Sequence, residues 1–226
     1  MADETSYGWA GKILRVNLST GSITTQPTDP YKEYIGGMGL ANKIMYDEVP
    51  AGTDPFSPEN KLIFAVGPLT ASGVPCSGRT NISFLSSWSK GYSIVDAHMG
   101  GHIAHNIKFA GYDAIVLEGQ SETPVYLKIE DDKVSIEDAS DLWGKGTFAA
   151  NAAIAKACGP EFDVATIGPA GENLVNMSCL ITSVGNSGGA GVGAIMGSKK
   201  VKGIAVRGTG CVRIADPKTQ KELCDY

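Results

Sequence analysis

The chain has 226 residues, 42% of them apolar and 19% charged, enough for one large globular domain or two small ones. A net charge of −5 argues against a nucleic-acid partner, and no run approaches the ~20 apolar residues of a membrane span. The opening MADETSYGWAGK lacks the apolar stretch of a secretory signal. Cysteines at 76, 158, 179, 211 and 224 form no CxxC pair. A cytoplasmic location with mostly structural thiols is therefore expected.

In chain order, GKILRVNL (11–18), a Ser-Thr-Gly-Ser turn and SITT predict a β-hairpin. Residues 31–49 predict a helix weakened by Gly36, Gly37 and Gly39. KLIFAVG (61–67) is a buried strand by its apolar run. TNISFLSS (80–87) and YSIVDA (92–97) are further strands, followed by a helix at 101–110 and a strand at 112–119. The order then begins again. PVYLKIEDDKVSIED (124–138) is a second hairpin, FAANAAIAKAC (148–158) an Ala-rich helix, and FDVATIGP (162–169) echoes LIFAVGP (62–68). Residues 99–119 align without gaps on 188–208, Gly100 falling on Gly189, Ile115 on Ile204 and Gly119 on Gly208. The expected fold class is α+β. Two related repeats, about 11–120 and 121–208, each hold an antiparallel sheet and helices within a domain of residues 1–216. Residues 217–226 read as the start of a further domain or as a tail, with Asp216 as N-cap and Pro217 at the first helical position.

GGAGVGAIMGSKK (188–200) resembles a phosphate loop but matches neither standard form. Ser198 and Lys199 stand in the wrong order for a P-loop, and the dinucleotide fingerprint lacks its spacing and its later acidic residue. Alone, it reads equally well as a tight turn before a small-residue helix. Because each repeat places glycines before a helix, two helix ends could present amides to a ligand with two phosphates.

Other candidates are weaker. His98, His102 and His105 fall within eight residues and could hold Zn, Ni or Cu, although Gly100 and Gly101 disturb a shared helix face. Arg79 could clamp an anion; Cys76 has no spacing that supports a nucleophile.

Several motifs together carry a family resemblance. GKILRVNLSTG, DPFSPENKLIFAVGPLT, SGRTN, KFAGYDAIVLEG, LWGKG, IGPAGENLV and GVGAIMGSKKVKGIAV run in order from about Gly11 to Asp216. The chain resembles the N-terminal domain of the aldehyde:ferredoxin oxidoreductases, tungsten or sometimes molybdenum enzymes with a bis-pyranopterin cofactor. VDAHMGG (95–101) and NSGGAG (186–191) look more like a bacterial branch than the archaeal aldehyde oxidases. The resemblance implies a base on which the tungstopterin or molybdopterin lies, its two phosphates bridged by Mg²⁺. It implies cofactor contacts from Arg79, His98, Gly100, Gly185, Asn186, Gly188 and Gly189, the carbonyls of His98 and Asn186 reaching Mg²⁺. It places no catalytic residue in this chain, and it puts the ligands of a 4Fe–4S cluster in C-terminal domains. It further implies oxidation of an aldehyde to an acid, with ferredoxin or an iron–sulfur partner subunit taking the electrons; a homodimer is left open. Arginines that archaeal members carry in the second loop are replaced here by Gly185 and Gly189. A stand-alone phosphate-binding module without redox chemistry is the alternative.

Overall fold

The computed structural model describes residues 6–88 and 92–225. The first five residues of the opening stretch, and Tyr226 at the end of the expected tail, lie outside them.

The first repeat opens with the hairpin β1 (Lys12–Asn17) and β2 (Ser22–Pro27). The helix expected at 31–49 is divided. A 3₁₀ turn at Asp29–Tyr34 ends at Ile35 in the left-handed region, and α1 begins only at Gly37–Glu48. β3 (Leu62–Ala65), β4 (Thr80–Ser86), β5 (Ser93–Met99), α2 (Ile103–Phe109) and β6 (Ala114–Glu118) follow. The second repeat runs β7 (Val125–Glu130), β8 (Lys133–Asp138), α3 (Thr147–Cys158), β9 (Asp163–Ile167), α4 (Pro169–Glu172), β10 (Leu180–Thr182), β11 (Ser187–Gly188), α5 (Val192–Ser198) and β12 (Val201–Arg207). α6 (Pro217–Asp225) closes the chain. Its first turn is capped by the Asp216 carboxylate, which accepts from the Thr219 N–H at 3.0 Å.

Two six-stranded sheets result, ordered β2-β1-β6-β3-β4-β5 and β8-β7-β12-β9-β10-β11. The orders are identical once each strand of the second repeat is matched to its counterpart. The expected antiparallel sheets hold for every pair but one in each. β6 runs parallel to β1, and β12 parallel to β7. The reason is topological: each closing strand enters beside the first strand of its own repeat after a helix has carried the chain back. The gap-free alignment also holds. α2 at 103–109 matches α5 at 192–198 residue for residue.

The main core lies between the sheets. Phe64, Ile82 and Phe84 from one face meet Leu127, Ile167 and Ile204 from the other in one buried cluster. α1 covers the outer face of the first sheet with Leu40, Ala41, Ile44 and Met45. Burying each such large side chain contributes about 1.5–3 kcal/mol.

The junction between repeats carries a buried lysine. Lys199, 1% exposed, donates through Nζ to the Gly119 carbonyl at 2.8 Å, and its own carbonyl accepts from Ser121 N–H. Burial, then the nearby Lys61, push its ammonium down to about 7, against Glu118. The unfolded chain therefore holds a proton that the folded one has released between about pH 7 and the ordinary lysine range. Stability from this group rises with pH across that window, by at most about 1.4 kcal/mol per pH unit. Lys199→Met is expected to flatten that slope. Urea midpoints of the variant and the parent, measured at pH 6.5 and 9.5, check it: a parent-minus-variant difference that does not change with pH contradicts the assignment.

Candidate functional site

The edge strands β5 and β11 bring the two glycine bends together. After Met99 the chain turns at Gly100 and at Gly101, whose φ of +91° favours glycine. From the other repeat, β10 and β11 form a short hairpin with Gly185 and Asn186 at its tip. A Cβ on Gly100 would lie 2.8 Å from Asn186 Oδ1, and one on Gly101 3.4 Å from Val184 Cγ2. The bends are in contact rather than turned apart.

Arg79, at the entry to β4, joins this edge. It is exposed, and its Nη1 donates to the His98 carbonyl at 3.4 Å. That carbonyl is one of the two expected to hold a cation. The other, of Asn186, accepts the Thr182 N–H at 2.8 Å and keeps a second lone pair. Gly185 and Gly189 have open space where a side chain would stand. Gly188 is buried, 3.1 Å from Ile82 Cδ1 to its would-be Cβ. All seven expected site residues therefore sit along one edge, built from Arg79, the first bend, and the β10–β11 hairpin with its following loop.

The helix-end part of the expectation is corrected. At α5 the first-turn amides are already used: Val192 N–H donates to Gly189 O, Gly193 N–H to Ser178 O and Ala194 N–H to Gly191 O. Every residue of α5 is buried. Gly191, Gly193 and Gly197 are packing residues. A Cβ on Gly191 would stand 2.5 Å from Asn176 O, and one on Gly193 2.7 Å from Ser178 Oγ. Only the main chain around Gly185–Gly189 is left to face a ligand from the second repeat.

The histidine metal site is not formed; among the described residues no group of three His, Cys, Asp or Glu could hold a metal. His98 pairs instead with Asp96, Nε2 to Oδ2 at 2.6 Å. The sequence reading missed Asp96, although its place two residues before His98 on a strand puts both on one face. His102 points to Asp163 at 3.9 Å. His105 packs against Gly78. All five cysteines are free, and Cys76 is exposed with a φ of 61°. Among the described residues no helix is long and apolar enough to cross a membrane.

Comparison with known proteins agrees with this architecture. The chain is 48% identical to a tungsten-containing aldehyde ferredoxin oxidoreductase of Thermococcus kodakarensis and 46% identical to that of Pyrococcus furiosus. Each match covers 93% of this chain, which spans only 35% of either relative. Among solved structures, the active-site complex BamBC of benzoyl coenzyme A reductase, with 1,5-dienoyl-CoA, superposes with a TM-score of 0.90 at 40% identity. That match covers 97% of this chain and 34% of the other. A stand-alone phosphate-binding module finds no support among these relatives. Residues 13–208 match the family described as aldehyde ferredoxin oxidoreductase, N-terminal domain, and the chain belongs to that family.

Proposed function

We propose that this chain is the cofactor-cradling domain of a tungsten- or molybdenum-pterin oxidoreductase that oxidises an aldehyde to a carboxylic acid and passes electrons to ferredoxin or an iron–sulfur partner subunit. The observation that carries this reading is the meeting of the two bends beside an exposed arginine. The donor set fits the group. Main-chain carbonyls of His98 and Asn186 are hard oxygen donors that would suit Mg²⁺ accompanying the cofactor. Arg79 supplies a fixed cation for an anionic or heterocyclic edge. Gly185 and Gly189, with open space beside them, would let a flat ligand approach the backbone, while Gly100 seats the Asn186 side chain and Gly188 packs behind them on Ile82. When bound, the metallopterin supplies the two-electron redox chemistry.

The residues of this chain bind and orient; none performs acid–base work. Arg79 reaches from its own loop to the His98 carbonyl, so the side chain offered to the ligand is held against the first bend. The Asn186 side chain rests on Gly100, so the two bends are positioned by each other. The 4Fe–4S ligands, the rest of the fold and the cytoplasmic setting belong to the same proposal and lie beyond these residues.

The complete gene product, expressed with tungstate and molybdate, is expected to contain W or Mo, pterin and Mg. Metal analysis and pterin fluorescence finding none of these would end the reading. Gly100→Ala gives the sharper test of the site. Its new methyl meets only the rotatable end of Asn186, so the thermal midpoint is expected to stay within a few degrees, a change of about 1 kcal/mol or less. The displaced Asn186 no longer fits the bend, and bound W or Mo is expected to fall on the order of tenfold.

A further inference from the structure

We propose that His105 is a positioning residue whose ring, packed on Gly78, sets where Arg79 meets the ligand edge; this rests on the cofactor reading above. A Cβ on Gly78 would stand 2.6 Å from His105 Cε1 and 3.4 Å from Nδ1 and Nε2, so the ring lies directly on that backbone. The contact is steric. His105 Nδ1 is buried and has no hydrogen-bond partner. The other side of the loop is already fixed: Thr70 Oγ1 donates to Ser77 O at 2.9 Å and Ser77 Oγ to Val74 O at 2.7 Å. The His105 ring, projecting from α2, closes the remaining side. α2 itself starts directly after the Gly100–Gly101 bend. One rigid unit thus links that bend, the ring, the loop and the guanidinium that returns to the His98 carbonyl.

The second repeat supplies an internal control. The ladders pair Ala65 with both Asn81 and Ala114, and Thr166 with both Ile181 and Gly203. Ala114 and Gly203 are equivalent in the gap-free alignment. Asn81 therefore corresponds to Ile181, Arg79 to Cys179, Gly78 to Ser178 and His105 to Ala194. The first repeat has glycine in the loop under a histidine on the helix; at the same positions the second has serine and alanine, both small, and Ser178 Oγ lies against Gly193 instead. The large helix side chain stands in the copy whose loop carries a cation, Arg79, and is missing from the copy that has Cys179 there.

The test uses the complete gene product with three variants: His105→Ala, Gly78→Ser and the double swap, which recreates the pair of the second repeat. Two readouts are taken, bound W or Mo per protein and the rate of tryptic cleavage after Arg79, with the thermal midpoint as a control for folding. Each single variant is expected to lose on the order of tenfold in bound metal and to be cut faster after Arg79. The double variant is expected to recover part of both, because the ring that the serine would meet is gone and the serine fills some of the space it leaves. Either single variant matching the parent in both readouts, or a double variant no better than His105→Ala, overturns the proposal; the second result would mean that the imidazole itself touches the ligand. A parent protein without W or Mo overturns the cofactor reading instead, and the cleavage series then still decides whether His105 orders the loop.

Discussion

Asp113→Ala is expected to remove a large part of the stability of this domain. Asp113 is fully buried at the start of β6 and accepts four hydrogen bonds: from Ala10 N–H at 3.0 Å, Gly11 N–H at 2.8 Å, Thr28 Oγ1 at 2.8 Å and Lys108 Nζ at 2.5 Å. Lys108 is equally enclosed, with Gly8 O at 3.0 Å and the Trp9 ring as its other neighbours. Burial pushes its ammonium below the ordinary lysine range, and Asp113 opposes that shift. Removing the carboxylate leaves a buried cation and three unmet donors. Loss of one partner of a buried pair costs about 3–5 kcal/mol, against a total of about 5–15 kcal/mol for a domain. Asp113→Asn is expected to cost less, because an amide oxygen still accepts. Asp113→Ala with Lys108→Met is expected to recover part of the loss, since no charge is then stranded. Urea unfolding followed by circular dichroism checks the series; an Asp113→Ala midpoint matching the parent would show that the pair contributes nothing.

The same position in the second repeat holds the opposite charge. Lys202 aligns with Asp113, is fully buried, and meets Glu172 from α4 and the carbonyl of Lys145. Duplication has kept a buried ion at the foot of the closing strand while exchanging its sign and its partner. A sign exchange of this kind marks a structural node: what persists is the burial and the pairing rather than the chemistry of either group.

Much of this was legible in the sequence, for physical reasons that differ by element. β3 and β6 are buried on both faces and so appear as apolar runs, whereas β9 and β12, buried as well, are interrupted by Thr166 and by Lys202 and Gly203 and show through their likeness to the first repeat. The hairpins appear through alternation and Gly or Asp turns. β10 and β11, three and two residues long, carry no period to detect, yet they bring Asn186 to Gly100. The break at Ile35 was hidden because YKEYIGG reads as helix until the left-handed residue is known. In the glycine-rich stretch the residue type was visible but its use was not. Gly189 has open space where a side chain would stand, whereas Gly188, Gly191, Gly193 and Gly197 are packed against neighbours, and a lone sequence gives both kinds the same letter. Asp96 and the contact of His105 with Gly78 escaped notice because such partners are set by register and by helix phase, which only the fold supplies.

Gly197→Ala is the second substitution expected to act strongly, and here local preference and packing disagree. Alanine is favoured over glycine inside a helix by about 1 kcal/mol, so α5 by itself would gain. In the folded protein the new Cβ would overlap the Gly171 carbonyl oxygen, and would stand 2.7 Å from its carbonyl carbon and 3.2 Å from Glu172 Cα. All three are backbone atoms of α4, and no side chain can turn aside. Gly171 in turn abuts the carbonyl of Gly193, so α4 and α5 touch backbone to backbone twice. Relief requires moving α4, which carries the Glu172 carboxylate that meets Lys202 and accepts the Gly144 N–H at 2.7 Å. Overpacking costs about 1–3 kcal/mol, and weakening a buried pair adds to it, so the net loss is expected to reach several kcal/mol despite the helix preference. Movement of α5 also carries Gly191 and the adjoining Gly188–Gly189 segment with it, so bound W or Mo is expected to fall along with the thermal midpoint. Gly189→Ala, which adds its methyl to open space, is expected to leave the midpoint unchanged. A Gly197→Ala protein as stable as the parent would mean that the two helices are not held at backbone contact, and the assignment of the 191–197 glycines to packing rather than to ligand binding would fall with it.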